Sequence, residues 1–282
     1  MPPSRPAETG STDVVVIGAG FAGLYMHHRL RAMGLQSVGI EAAGDVGGTW
    51  WWNRYPGARC DIRSLDYSFS FDPDLEQDWD WSEKYATQPE ILSYVNHVAD
   101  RFHLRSDIRF NTRMVGATWD STDQNWRVET DHGDRWTSQF LVMAVGALSA
   151  AKDPEIAGID SFAGQILHTS QWPHKGVDLT DKRVAVIGTG SSGVQSIPLI
   201  AEQAAHLTVF QRTPNFAVPA QNSPLDAEEV ATLKHRYREH RAEQRSSFGG
   251  VVGPQPEQSA HEVDADERTL RFHAIWDEGF LF

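Results

Sequence analysis

The sequence predicts an α/β fold in two Rossmann-like domains, the first with an inserted β-meander and the second incomplete. Two glycine-rich runs carry this expectation. Gly18-Ala19-Gly20-Phe21-Ala22-Gly23 follows the apolar stretch Val14-Val15-Val16-Ile17, and Gly188-Thr189-Gly190-Ser191-Ser192-Gly193 follows Val184-Ala185-Val186-Ile187. Each reads as a strand that turns through Gly-x-Gly-x-x-Gly into a helix. In that setting the first glycine permits the tight turn and the second lets backbone approach a pyrophosphate. The third lets helix pack on strand. Two such units in one chain imply two bound dinucleotides and electron transfer between them.

The strand after each helix separates the two sites. Ser37-Val38-Gly39-Ile40 ends at Glu41, whose carboxylate suits a free ribose 2′-OH and repels a 2′-phosphate. Leu207-Thr208-Val209-Phe210 ends at the neutral Gln211, followed by Arg212, a guanidinium able to grip a phosphate through two hydrogen bonds. The first site therefore reads as FAD or NAD, and the second as NADP(H).

Taken in order, residues 1–12 read as a disordered polar lead. Residues 13–44 form a β-α-β unit whose helix spans about Gly20 to Met33 and stops at Gly34. Residues 45–75, rich in Gly, Trp, Arg and Asp, have the composition of a binding loop. Gln88 to Phe102 reads as an amphipathic helix, with Pro89 tolerated in its first turn. A β-meander is expected over 107–144, from Ile108-Arg109-Phe110 through Met114–Trp119 and Trp126–Glu129 to Trp136–Met143. The second β-α-β unit covers about 182–213. A charged helix (about Leu225 to Gln244), a Gly/Pro-rich loop (Gly249 to Gln258) and a helix (about Ala265 to Asp277) follow. The expected domains are thus 13–150, a linker over 151–181, and 182–282 with a helical insertion from about 221. Only two strands are evident in the second domain and no return segment completes the first sheet, so the chain reads as part of a larger fold.

Composition narrows the function. The net charge of −13 discourages nucleic-acid and anionic-membrane partners. Cys60 is the only cysteine, so no intrachain disulfide and no Cys-rich metal site is expected. The first residues lack the apolar centre of a signal peptide, and no run approaches the roughly 20 apolar residues of a membrane helix. The reading is a soluble, cytoplasmic protein with no metal site.

The stretch Gly47-Gly48-Thr49-Trp50-Trp51-Trp52-Asn53-Arg54-Tyr55-Pro56-Gly57-Ala58-Arg59-Cys60-Asp61 resembles the flavin-side loop of the type I Baeyer–Villiger monooxygenases. Phe162-Ala163-Gly164-Gln165-Ile166-Leu167-His168-Thr169-Ser170-Gln171-Trp172-Pro173 fits that family's Phe-x-Gly-x-x-x-His-x-x-x-Trp-Pro signature. Gln88-Pro89-Glu90-Ile91, Gly146-Ala147-Leu148-Ser149 and Phe210-Gln211-Arg212-Thr213-Pro214 fit as well. The branch most resembled includes phenylacetone monooxygenase. The likeness runs from about residue 13 to the end and corresponds to an N-terminal half. Pro173 after Trp172 matters, because related N- and S-oxygenating flavin enzymes carry a similar run that ends differently.

The resemblance implies FAD along Gly18, Gly20, Gly23 and Glu41, with Thr49, Trp50, Asp61, Tyr67 and Met114 closing around it. It implies NADPH along Gly188, Thr189, Gly190, Ser191, Ser192, Gly193 and Gln195, with Arg212 and Thr213 on the 2′-phosphate. The implied activity converts ketones to esters or lactones with O2 through a flavin C4a-peroxide. Asp61 would be the active-site aspartate that pairs with an arginine over the flavin, against the alternative of a turn aspartate capping backbone N–H groups. Arg59 would touch the nicotinamide cofactor, whereas Cys60 reads as a small packed side chain. Phe162, Gly164, His168, Trp172 and Pro173 would form the interdomain signature. Of Trp50, Trp51 and Trp52 not all can face inward, and one is expected to line flavin or substrate space. Trp51 stands where the family commonly has tyrosine, and Arg63 replaces a more usual acid. The peroxide-stabilising arginine of the family has no counterpart before residue 282. Two other readings remain: an N- or S-oxygenating flavin enzyme or NADPH–flavin reductase, and a non-catalytic remnant or split subunit that needs a second polypeptide.

Overall fold

The computed structural model describes residues 6–215, 217–247, 249–252 and 258–279. Its elements begin with β1 (Thr9–Ile17), α1 (Phe21–Ala32), β2 (Ser37–Ile40), α2 (Thr49–Trp52), α3 (Pro73–Asp78), α4 (Gln88–Arg101), β3 (Ile108–Arg109) and β4 (Met114–Asp120). They continue with β5 (Asn125–Thr130), β6 (Arg135–Met143), β7 (Arg183–Ile187), α5 (Ser191–Ala201), β8 (His206–Phe210), α6 (Ala227–His235), α7 (Tyr237–Ser246) and α8 (Ala265–Glu278). They fall into two compact units, residues 1–55 with 91–178 and residues 56–90 with 179–282.

The first unit is built on a six-stranded sheet of order β3-β2-β1-β6-β5-β4. β1 pairs in parallel with β2 and with β6, and β2 with β3, while β6-β5 and β5-β4 are antiparallel. A parallel strand in the middle of a sheet is covered on both faces, which explains the unbroken run Val14-Val15-Val16-Ile17, all buried. Val15 and Ile17 pack with Ile40, Val128 and Trp136, whereas Val14 and Val16 face the other way onto Leu30 of α1. Each such side chain contributes on the order of 2 kcal/mol when fully buried. α1 presents Leu24, His27 and Leu30 to the sheet. It ends as the sequence predicts, where Gly34 takes φ +74° and Leu35 N–H returns to the Leu30 carbonyl.

Several expectations change here. β1 starts at Thr9, so residues 9–12 are strand rather than lead, paired along Thr9↔Arg135 to Thr12↔Ser138. Residues 1–5 of the expected lead lie outside the described residues. Ile108-Arg109 does not belong to the meander; it extends the parallel sheet beside Gly39-Ile40. β6, expected only as the last meander strand, returns beside β1 and supplies the fourth strand of the parallel sheet. The two-residue β3 left too short a pattern to reveal its direction, and β6 alternates like a meander strand because its first half is one. The loop expected over 45–75 contains α2 and the start of α3.

In the second unit β7 and β8 pair in parallel, with α5 between them in sequence. An arm over 56–90 belongs to this unit rather than to the first. Arg59 bridges Thr87 and Glu83 bridges Pro224, each antiparallel. The helix expected over 225–244 is two helices, because Arg236 leaves helical geometry between α6 and α7. α7 is tied to the arm by buried polar groups: Arg241 Nε donates to Glu76 at 2.8 Å, Arg241 also donates to Ser68 Oγ, and His240 pairs with Asp66. Part of the expected loop over 249–258, residues 253–257, lies outside the described residues.

Candidate functional site

In the first unit the glycine turn is formed by contacts that exclude any side chain. Gly18 adopts φ +104° and donates to the Ile40 carbonyl at 2.9 Å. A Cβ on Gly23 would stand 1.9 Å from the Gly18 carbonyl oxygen, so helix and strand meet only through glycine. Gly20 precedes α1 as a cap without a side-chain hydrogen bond, the setting in which a helix N-terminus favours an anion. Gly48 approaches the same spot: its Cβ would lie 2.8 Å from Gly20 Cα. Gly47 N–H donates to the Ala19 carbonyl at 3.0 Å and fixes this second backbone beside the first.

Glu41 directly follows β2 and carries a buried carboxylate. One oxygen accepts from Ala19 N–H at 2.6 Å and the other from Ala43 N–H at 2.7 Å. The acid therefore bridges the glycine turn and the segment leading to Gly47, and each oxygen keeps a second lone pair. Residues 109–112 lie alongside, since Glu41 N–H donates to Arg109 and Thr112 N–H to Glu41. Met114, at the start of β4, packs on the cluster around Val15 and Trp136.

α2 holds the three tryptophans in three settings. Trp50 is buried, Trp51 is half-buried and Trp52 is exposed, as side chains in succession on one turn must be. Trp51 lies between Arg54, whose guanidinium is 5.1 Å from its ring centre, and His174, 5.2 Å away edge-on. Burial first, and then the Arg54 charge, lowers the His174 pKa below its ordinary value. Thr49 is exposed. In the signature segment Trp172 is buried while Phe162 is exposed, and His168 Nδ1 accepts from Ser170 N–H at 3.2 Å and caps a short 3₁₀ turn.

The second unit repeats the glycine geometry more loosely. Gly188 takes φ +101° and donates to the Phe210 carbonyl at 2.8 Å, and a Cβ on Gly193 would lie 2.5 Å from the Gly188 oxygen. Gly190 precedes α5 without a side-chain cap, and Ser191 and Ser192 open the helix. Gln211 Nε2 donates to Thr189 Oγ1 at 2.7 Å, which ties the end of β8 to the turn. Arg212 and Thr213 follow, both exposed.

Arg59, Asp61 and Tyr67, expected in the flavin-side domain, belong to this second unit. Arg59 N–H donates to Gln195 Oε1 at 3.4 Å, Gln195 Nε2 donates to the Arg59 carbonyl at 3.1 Å, and the Arg59 guanidinium lies 3.7 Å from Glu83. Asp61 is exposed and Tyr67 half-buried. Burial pushes the Cys60 thiol up to about 12, so it is a packed group without nucleophilic character at neutral pH. A cleft of about 700 Å³, lined among others by Arg63, Asp66, Lys84, Arg236 and His240, includes no fingerprint residue. Among the described residues no group of acidic, His and Cys side chains could hold a metal ion, and no helix is long and apolar enough to cross a membrane.

Sequence reasoning missed the backbone partner Gly48, the dual use of Glu41, and the pairing of Gln195 with Arg59. The doublet Gly47-Gly48 was the signal for the first. The others depend on contacts between distant segments that no local pattern records.

Comparison with known proteins agrees with this geometry. The family described as pyridine nucleotide-disulphide oxidoreductase matches residues 15–268. The Baeyer–Villiger monooxygenase of Pseudooceanicola batsensis is 46% identical over 95% of this chain and 49% of its own length. The phenazine N-monooxygenase of Lysobacter antibioticus is 42% identical over 96% and 50%. A solved oxidized steroid monooxygenase bound to NADP superposes with a TM-score of 0.89 at 56% identity, over 96% of this chain and 52% of that one. A solved OTEMO complex with FAD and NADP gives 0.90 at 42% identity, over 96% and 52%. The resemblance to Baeyer–Villiger monooxygenases and the two-domain Rossmann expectation are both borne out. The chain spans about half the length of the curated relatives it matches.

Proposed function

The chain belongs to the pyridine nucleotide-disulphide oxidoreductase family, and from that premise we propose that it binds FAD on its first unit and NADPH on its second. In this reading it serves the Baeyer–Villiger oxidation of a small ketone by O2 to an ester or lactone. The observation that carries it is the pair of fingerprint helices without side-chain caps and with opposite endings, a buried acid at Glu41 and an amide followed by an exposed cation at Gln211-Arg212.

The residues present fit both groups. The facing glycines 20 and 48 leave a cradle that any Cβ would fill, which suits a pyrophosphate lying against backbone N–H groups. Gly18, Gly20 and Gly23 would hold it, and Glu41 would accept from a ribose hydroxyl with its remaining lone pairs. Thr49, Trp50 and Met114 of the first unit would close on the flavin, with Trp50 keeping water out. Gly188, Thr189, Gly190, Ser191, Ser192 and Gly193 would hold the second pyrophosphate, and Arg212 with Thr213 the 2′-phosphate. Asp61 is the residue we assign to catalysis, as the carboxylate that orients a guanidinium. When bound, the nicotinamide supplies hydride and the flavin supplies the redox chemistry with O2.

A second reading is N-oxygenation, favoured by the phenazine N-monooxygenase likeness. Pro173 after Trp172 supports the ketone reading against it. The test is anaerobic addition of NADPH and of NADH to the FAD-loaded protein while flavin absorbance is followed, then aerobic turnover of cyclic ketones and of N-heteroaromatics. Flavin bleached by NADPH and lactone formed support the proposal. Turnover of the heteroaromatic alone moves the function to N-oxygenation, and failure to retain FAD defeats both.

A further inference from the structure

Arg59 sits in the short antiparallel pairing of the 56–90 arm, opposite Thr87. The bonds of that pairing flank it: Gln88 N–H donates to the Ala58 carbonyl at 2.8 Å and Cys60 N–H to the Ala86 carbonyl at 3.0 Å. In such a non-hydrogen-bonded pair the N–H and C=O of Arg59 itself point away from the partner segment, as on an open strand edge. The Gln195 side chain fills that edge. Its Oε1 takes the Arg59 N–H and its Nε2 gives to the Arg59 carbonyl, so one primary amide does what a third strand would do. The contact is close on both sides. A Cβ on Gly57, at φ +79°, would lie 2.3 Å from the Gln195 carbonyl oxygen, so the arm reaches the α5 backbone only because residue 57 is glycine.

We infer that Gln195 is a positioning residue, which mounts the segment Arg59-Cys60-Asp61 on the fingerprint helix α5 so that it belongs mechanically to the second nucleotide site. The inference rests on the NADPH reading only for its consequence, not for the clamp itself. An amide is the one side-chain group that both accepts and donates in this fork. A carboxylate would face the Arg59 carbonyl without a donor, and an aliphatic chain would leave both backbone groups bare. With its backbone held by Gln195, Arg59 directs its guanidinium to Glu83, which also receives Asn222 Nδ2, so backbone and side chain are fixed by separate partners. Gln195 is then spent on protein and acts on the dinucleotide through Arg59. Arg212, two residues beyond β8, serves the adenosine end independently.

Two measurements test this on the full chain. Hydrogen exchange of peptides covering 57–61 should be about tenfold faster in Gln195→Leu than in wild type, and intermediate in Gln195→Glu, with 183–194 unchanged. Unchanged exchange at 57–61 in both variants overturns the clamp, whether or not any nucleotide binds. Faster exchange spread over 183–194 as well overturns it in favour of a general helix role. Calorimetric titration with NADP+ and with 2′,5′-ADP then tests the consequence. Gln195→Leu should weaken NADP+ about tenfold and 2′,5′-ADP less than twofold. Equal loss of both ligands overturns the positioning role. Absence of NADP+ binding in wild type would instead defeat the NADPH reading, with the exchange result still deciding the clamp.

Discussion

Replacing Glu41 by glutamine should destabilise the protein before any cofactor is present. The carboxylate is buried and accepts two backbone N–H groups, from Ala19 and Ala43, at 2.6 and 2.7 Å. In Glu41→Gln one oxygen becomes an NH2 that faces an N–H, so one charge-assisted bond disappears and a buried donor is left without an acceptor. A bond to a charged group contributes about 1.5–3 kcal/mol, and an unsatisfied buried group costs a comparable amount. The two effects overlap, and a loss of about 2–4 kcal/mol is expected, a large share of a typical stability of about 5–15 kcal/mol. Urea unfolding of cofactor-free protein, followed by tryptophan fluorescence, measures it. With slopes of about 1–3 kcal/mol per molar, the midpoint should fall by about 0.7 M or more with the slope unchanged. An unmoved midpoint accompanied by weaker FAD binding would refute the reasoning, because the acid would then act on the ligand alone.

Arg212→Ala should weaken NADP+ by about 10–100-fold and leave NAD+ unchanged, since only the 2′-phosphate loses its charge-assisted partner; equal losses in titration calorimetry would place the residue elsewhere. His27 lies on the buried face of α1 and its pKa is held down to about 4 by burial, with Asp107 opposing the shift and Arg31 adding to it. The unfolded chain takes up that proton near pH 6.5 and the folded one does not. Stability from this group is therefore complete above pH 6.5 and is lost as the pH falls toward 4, by up to about 3 kcal/mol. Urea midpoints at several pH values should show this slope in wild type and a flatter one in His27→Gln, and parallel profiles would contradict it.

What the sequence displayed best were features of local grammar. The four apolar residues before Gly18 marked a strand that turns into a helix, Gly34 marked the end of α1, and the difference between Glu41 and Gln211-Arg212 was visible without coordinates. Features that depend on long-range pairing were hidden. Nothing within Ile108-Arg109 specifies that it lies parallel to β2, because two residues carry no periodicity. The arm from 56 to 90 reads as a continuation of the first domain, yet its bonds go to Gln195, Asn222 and Ser223. The charged helix pattern over 225–244 gave no sign of the break at Arg236, a residue with good helix propensity. Of the candidate site, the glycine turns and the residues that follow β2 and β8 were legible; the hydrogen-bond partners of Gln195 and Glu41 were not, because a side chain's partner is chosen by the fold.

β6 has a consequence for how this protein can be rearranged. Through Arg135–Ser138 it pairs on one side with β5 and on the other with β1, and onward to Met143 with β1 alone. An insertion joined to its host by two loops can be exchanged like a cassette. Here the last strand of the insertion is also a strand of the host, and Trp136 and Val128 share one cluster with Val15, Ile17 and Ile40. The meander and the parallel sheet are accordingly one cooperative body. Grafting a relative's meander onto this chain would have to carry β6, and with it the neighbour against which β1 is registered.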